Sequence, residues 1–391
     1  MVSTIAKRDI NSTVASVQVK TRISVRELEA LLGGNARRDG GPDRRVDLRL
    51  ASSGDSVVLA DIWAAILLGT LSRNSGLRLL GWGLGGVIEP DSRLAVTPAF
   101  LAGLTMATSI AADTGPEVDR AAFRKLLALT QLGLVDPTSG ASQTLVEFDP
   151  EYSVAPILRG GTGFSSVSPL DRKRIFEQVV LQFRSRLEIG AIRHGVSPGN
   201  AGPAGDIGNF LRELHDNGSE HGTRGANGRT LNQTRFMRLR KHVANRKAML
   251  VERCGDFAEL AKHVNETFSE ASSTPALIEA SVSDFGPGIV DGFLSSDAGR
   301  RFAEVNRREL LEALIYDRLT SKSSDASAGL GLQHALAAAR RMGAFVSLRT
   351  GEFWLVVSFA SENGDPKLRD ISNGVHSKVA GTHWQILWAQ S

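Results

Sequence analysis

The sequence predicts an α/β fold in two parts, and three observations predict it. Stretches with apolar residues at helical spacing, such as Ile207, Phe210, Leu211 and Leu214, recur along the chain. Between them lie short segments in which every second residue is apolar, such as Ile278, Ala280 and Val282, the mark of a strand with one buried face. Arg159-Gly-Gly-Thr-Gly163 reads as a linker. It divides an expected small α/β module, residues 1–160, from an expected larger domain with its own leading helix, residues 165–391; a chain of 391 residues is long enough for two cores.

In the first part Arg45 to Leu50 alternates like a strand and Val57 to Ser72 reads as a mostly apolar helix. Leu77 to Leu80 suits a second strand, Thr97 to Ala111 a second helix, Ala121 to Leu134 a further helix, and Gln143 to Leu158 an extended segment. Gly81-Trp-Gly83-Leu-Gly-Gly86 matches G-x-G-x-x-G, but a dinucleotide site needs a helix directly afterwards. Val87-Ile-Glu-Pro90 does not begin one, so that reading is rejected. Beyond the linker, Ser168, Pro169 and Asp171 start a helix whose buried stripe is Ile175, Val179, Phe183 and Leu187.

The second part carries the chemistry. On the helix that begins near Ile207, Glu213 and Asn217 stand four residues apart and project from one face. A carboxylate and a carboxamide so placed can hold a metal-bound triphosphate and a water, since magnesium takes few protein oxygens and completes its shell with phosphate and water. The same pair would also suit a solvated helix face. Asp284 continues the apolar parity of the strand through Ile278, Ala280 and Val282, so its carboxylate is expected to point inward. A buried carboxylate needs a partner, and an adenine amino group is a fitting donor. Gly286 and Gly288 then permit a sharp turn and a close approach, although an ordinary strand-ending turn has the same composition.

Gly329-Leu-Gly331-Leu332 opens a further helix with its stripe at Leu330, Leu332, Ala335, Leu336 and Ala339 and a stop at Gly343. The free amides and dipole at such a start favour an anion. Between Gly288 and Gly329 a helix is expected around 301–319, followed by the small, polar run Thr320 to Ala328, which suits a mobile lid; Lys322 either reaches a phosphate or is solvated. Gly351 to Phe359 and Thr382 to Trp388 read as strands, with a hairpin turn at Arg349-Thr-Gly-Glu352.

In this order and at these separations, Glu213-Leu-His-Asp-Asn217, Asp284-Phe-Gly286-Pro-Gly288 and Gly329-Leu-Gly331-Leu332 resemble the N, G1 and G2 boxes of the GHKL ATP-binding superfamily. That superfamily includes gyrase B, heat-shock chaperone ATPases, histidine kinases and MutL proteins. The resemblance covers roughly residues 200–391 and implies a Bergerat-type α/β sandwich, a mixed sheet with helices on one face, that binds ATP with Mg2+. It implies that Asn217 holds the magnesium, Glu213 orients or activates water, and Asp284 reads the adenine. Gly286 and Gly288 would hinge the lid, and Gly329, Gly331 and Leu332 would frame the phosphates. Thr382, after Gly381, would help position a water at the adenine. The stretch from Asn245 to Phe268 is longer than compact kinase domains of this superfamily carry at that place.

Composition limits the remaining choices. No positively charged start precedes an apolar run, which predicts no signal peptide, and the apolar stretch Ile62 to Leu71 is too short to span a bilayer. A single cysteine, Cys254, fits a reducing cytoplasm, and the expectation is a cytoplasmic protein of bacterial type. There is no Walker A motif and no zinc-ligand spacing. A phosphoacceptor histidine in cis is not expected: His194 sits before Gly195 and Pro198 with no acid beside it, and His215 lies inside the first box. The expected function is therefore a Mg-ATP-dependent conformational switch or ATPase acting on a protein partner or on self-association. The alternative is a protein kinase acting in trans. A second alternative is a nucleic-acid-associated ATPase, because Arg224, Arg229, Arg235, Arg238, Arg240, Lys241, Arg246 and Lys247 occur without an intervening acid in a chain of net charge +4.

Overall fold

The computed structural model describes residues 15–19, 23–36, 45–50, 58–74, 76–80, 102, 109–111, 142–147, 177, 203–221, 235–272, 274–317, 319, 331–360, 367–371 and 376–389. It divides into two units, Met1–Thr138 and Ser139–Ser391.

In the first unit β1 (Ala15–Val19), β2 (Arg45–Leu50), β3 (Gly76–Leu80) and β4 (Ser109–Ala111) form a parallel sheet in that order. Parallel neighbours require crossover connections. Helix α1 (Val25–Ala36) lies between β1 and β2, and α2 (Ala60–Asn74) between β2 and β3. A reciprocal cap starts α1: the Glu27 N–H donates to Ser24 Oγ at 3.1 Å, and the Ser24 N–H donates to Glu27 Oε2 at 3.0 Å. Helix α2 buries an unbroken run from Ile62 to Leu68, as its nearly all-round apolar sequence requires. Residues 109–111 are a strand where the sequence suggested the end of a helix; pairing with Arg78 to Leu80 overrides local preference. The expected features at 81–86, 121–134 and 159–163 lie outside the described residues, and of the helix expected from Ser168 only Glu177 is described, in helical conformation.

Among the described residues, the second unit has a seven-stranded sheet in the order β10-β9-β8-β11-β7-β6-β5. These are β5 (Ser142–Glu147), β6 (Arg235–Val243), β7 (Ala276–Asp284), β8 (Phe345–Gly351), β9 (Phe353–Ser358), β10 (Arg369–Asp370) and β11 (Val379–Ala389). Every neighbouring pair is antiparallel, not mixed as expected. The reason is β11: β7 and β8 run in the same direction, and β11 inserts between them against both. The strand at 142–147, expected in the first module, instead pairs with β6 at the edge of this sheet.

Alternation fixes the two faces. Met237, Leu239, Ile278, Ala280, Val282, Val346, Leu348, Trp384 and Ile386 point to one side and pack against α3 (Pro203–His221) through Ile207, Phe210, Leu211 and Leu214. Three more helices join that core, α6 (Ile289–Leu294), α7 (Arg307–Tyr316) and α8 (Gly331–Arg341). The opposite side is not left open. The Asn245 to Phe268 insertion folds into α4 (Lys247–Arg253) and α5 (Ala258–Thr267), so helices lie on both faces where one was expected. Phe257, at the start of α5, meets Phe345 and Trp354 with ring centroids 5.6 and 5.3 Å away. His263 follows six residues later, its Nδ1 2.8 Å from Ser358 Oγ; burial pulls its pKa down to about 4, so the ring is neutral.

Beside this aromatic cluster the second face is polar. Glu279 is fully buried and takes His242 Nε2 at 2.8 Å, Ser281 Oγ at 2.9 Å and, more distantly, Arg238 Nη1 at 3.8 Å. A buried charge is tolerated when such partners surround it.

The segment after Gly288 is helical and anchored. Leu310, Leu311, Leu314 and Ile315 of α7 are buried, and Asn306 Oδ1 caps the helix by accepting the Arg308 N–H at 2.9 Å. Asp291 on α6 binds Arg307 at 2.7 Å and Lys378 at 2.5 Å, and Arg307 also contacts Glu352 in the β8–β9 turn. Burial would raise the Asp291 pKa, but the hydrogen bonds and charges of Lys378 and Arg307 outweigh it and hold it below the usual carboxylate value.

A depressed carboxylate pKa contributes stability above the unfolded value, about pH 4, and loses it as the pH falls through the folded value. Asp291→Asn should therefore destabilise the protein by about 1 kcal/mol at pH 7, and urea titrations should show the difference from wild type shrinking below about pH 4. A constant difference across that range would exclude the ionic contribution.

Candidate functional site

Helix α3 is the spine of the site. Its buried stripe turns Glu213 and Asn217 to the side where α8 begins. Gly331 opens α8 so close to them that a Cβ there would lie 2.7 Å from Glu213 Oε2 and 3.6 Å from Asn217 Nδ2. One residue beyond Asn217, a Cβ at Gly218 would lie 3.8 Å from Asp284 Oδ2. Glu213, Asn217, Asp284 and Gly331, far apart in sequence, are thus strung along one side of α3. The two helices run antiparallel, and an ion pair tethers their other ends: Arg341 Nε donates to Asp206 Oδ1 at 2.9 Å.

Asp284 ends β7 with only 8% of its surface exposed, and its Oδ1 accepts the Gly286 N–H at 2.9 Å. The next side chain, Phe285, crosses to the second face and packs on Phe236 and His383 at 6.1 and 5.2 Å. His383 donates from Nε2 to the Ala380 carbonyl at 2.8 Å, and burial drops its pKa to about 3, so it stays neutral. Gly288 takes a left-handed φ of 85°. A Cβ on it would stand 3.0 Å from Thr350 Oγ1 and 3.2 Å from the Gly381 carbonyl oxygen. Thr350 Oγ1 accepts the Ile289 N–H at 3.0 Å and lies 3.4 Å from Thr382 Oγ1, while Thr382 is paired in the sheet with both Asp284 and Thr350. The turn after Asp284 is therefore held from below by two threonines.

Several sequence-derived positions fall elsewhere. Leu332 packs partly buried against the core. Gly329 and the lid segment Thr320 to Ala328, with Lys322, lie outside the described residues; the preceding helices of that stretch belong to the core. The basic segment does not present one open face. Arg238 is buried near Glu279 and Lys247 pairs with Glu270 at 2.8 Å, while Arg224 and Arg229 lie outside the described residues. Cys254 is buried, and desolvation pushes its thiol up to about 12, which leaves it inert. Among the described residues no three His, Cys, Asp or Glu side chains gather to hold a metal ion unaided, and no helix is long and apolar enough to cross a membrane.

Four positions of this region escaped the sequence reading. Gly218 and Thr350 had no motif of their own to mark them. Arg212 contacts Glu213, and His334 Nδ1 stands 3.9 Å from Glu213 Oε1. His334 could have been found from its i, i+3 spacing to Gly331 on the same helix.

Two glycine substitutions should separate packing from chemistry. Gly381 has a φ of 85°, and a Cβ there would overlap the Asp284 carbonyl and the Phe285 Cα. Backbone atoms cannot step aside, so Gly381→Ala should destabilise by at least about 3 kcal/mol. At Gly331 the obstruction is the tip of a flexible glutamate. Gly331→Ala should leave stability within about 1 kcal/mol of wild type while displacing Glu213. Equal losses in denaturant unfolding would contradict this geometry.

Compared with known proteins, the chain matches no protein-family model and none of the curated proteins.

Proposed function

We propose that this side of α3 is a Mg-ATP site of the GHKL type, in an α/β sandwich that uses ATP as a conformational switch or hydrolyses it to act on a protein partner or on self-association. The observation that carries the reading is the glycine cradle at Gly331, which brings the start of α8 within a Cβ's width of Glu213 and Asn217. A helix start without a side chain leaves room for phosphate at its free amides. At the other end of the row, the nearly buried Asp284 carboxylate suits the amino group of adenine, with Gly218 and the Arg235 side chain beside it. The donor set fits a nucleotide-borne magnesium: a single carboxamide oxygen at Asn217 is enough when phosphates and water supply the rest. Bound there, the ion would neutralise phosphate charge.

In this reading Asp284 selects the base, Asn217 orients the metal-bound phosphates, and Glu213 accepts a proton from the attacking water. Thr350 and Thr382 hold the turn of Gly286 and Gly288 against the adenine end. The γ-phosphate can pass to water or, in the kinase alternative, to a side chain of a separate protein.

Calorimetry with the purified protein tests these roles. Asp284→Asn should weaken Mg-ATP about tenfold or more with little change in thermal stability, because the amide replaces an acceptor with a near-isostere that also carries a donor. Asn217→Ala should strongly reduce the magnesium-dependent part of binding. Glu213→Gln should bind ATP nearly as wild type does, yet stop phosphate release or transfer. Unchanged ATP affinity in Asp284→Asn would refute the adenine assignment, and wild-type turnover in Glu213→Gln would refute the base.

A further inference from the structure

We infer that His334 is a terminal-phosphate contact, the residue by which this site tells a nucleoside triphosphate from a diphosphate; the inference rests on the ATP-site reading above. Gly331 and His334 are three residues apart on α8 and share a face. Gly331 backs onto Glu213 and Asn217, and His334 Nδ1 lies 3.9 Å from Glu213 Oε1. Along α3 the neighbours come in a fixed order: Asp284 beside Gly218, then Asn217, then Glu213 with His334 over it. From residue 218 to 213 the helix rises about 7 Å. A nucleotide with its base at Asp284 therefore runs toward Glu213, and the part that reaches His334 is its far end.

The chemistry at that end suits an anion. Helix α8 has 11 residues and no acidic residue in its first turn, so its dipole is unopposed from within the helix. The nearby carboxylates of Glu213 and Asp216 are offset in part by Arg212, which contacts the first and lies 3.8 Å from the second. The His334 side chain is 61% exposed, free to swing from Glu213 onto a phosphate oxygen and donate a charge-assisted hydrogen bond. A diphosphate ends one phosphate short and leaves that donor in water. Its exposure also means that replacing it should not disturb the core.

The test is calorimetry on the full chain with Mg-ADP and with magnesium plus a non-hydrolysable ATP analogue, for wild type, His334→Ala and His334→Lys. His334→Ala should weaken the triphosphate about tenfold and leave ADP within about twofold, and His334→Lys should restore most of the loss by returning an N–H donor to the phosphate. Denaturant unfolding should be unchanged in both variants. Equal weakening of the two nucleotides, or none, overturns the inference. So does unchanged triphosphate affinity with lost turnover, which would make His334 a positioning residue for Glu213. If wild type binds neither nucleotide, the ATP-site reading itself falls and this inference falls with it; binding by wild type with an unaltered ATP-to-ADP ratio in His334→Ala removes only the role of His334.

Discussion

The contact on which the second unit depends is the meeting of β11 with the end of β7. Gly381 is pressed against the Asp284 carbonyl, and just beyond it β11 pairs with β7 on one side and β8 on the other. That insertion makes the sheet antiparallel throughout and brings Thr350 and Thr382 under the turn at Gly288. It also sets the direction in which the Asp284 side chain leaves the strand. An early glycine in the last strand thereby governs the geometry around Asp284 in the candidate site.

The placement of Glu213, Asn217 and Asp284 was legible because each sits on an element with a strong periodic signal. Ile207 to Leu214 and Ile278 to Val282 fixed which way Glu213, Asn217 and Asp284 would face, and local geometry did the rest. Long-range pairing was not legible. Nothing in Ser142 to Glu147 tells which sheet it joins, since a short alternating strand fits either one. The insertion after β6 also looked like an excursion, because its pattern gives amphipathic helices but not the surface they cover. Ser24 and Glu27 show the opposite case, a local capping signal that marks α1 plainly and was passed over.

The second face gives the sheet an unusual division of labour. One side is a conventional apolar layer under α3 and α8. On the other, Phe257, Phe345 and Trp354 make an aromatic seat for α5, next to a buried carboxylate with histidine, serine and arginine around it. Burial lowers the His242 pKa, although its hydrogen bond to Glu279 opposes that shift, so the pair relies on the hydrogen bond more than on full charge. Phe285 ties the two sides together: its neighbour Asp284 faces the helices while its ring rests among Phe236 and His383.

The position of β5 limits where this chain can be cut. A fragment cut at the glycine-rich linker, the obvious boundary in the sequence, would begin after residue 147 and lack β5. It would leave β6 with an unsatisfied row of amides and carbonyls along its whole paired length, from Arg235 to Arg240. Such an edge recruits strands from other molecules, so that fragment would tend to associate edge to edge for reasons unrelated to any natural assembly. Expression of the second unit by itself should begin no later than Ser139, so that it carries its own edge strand.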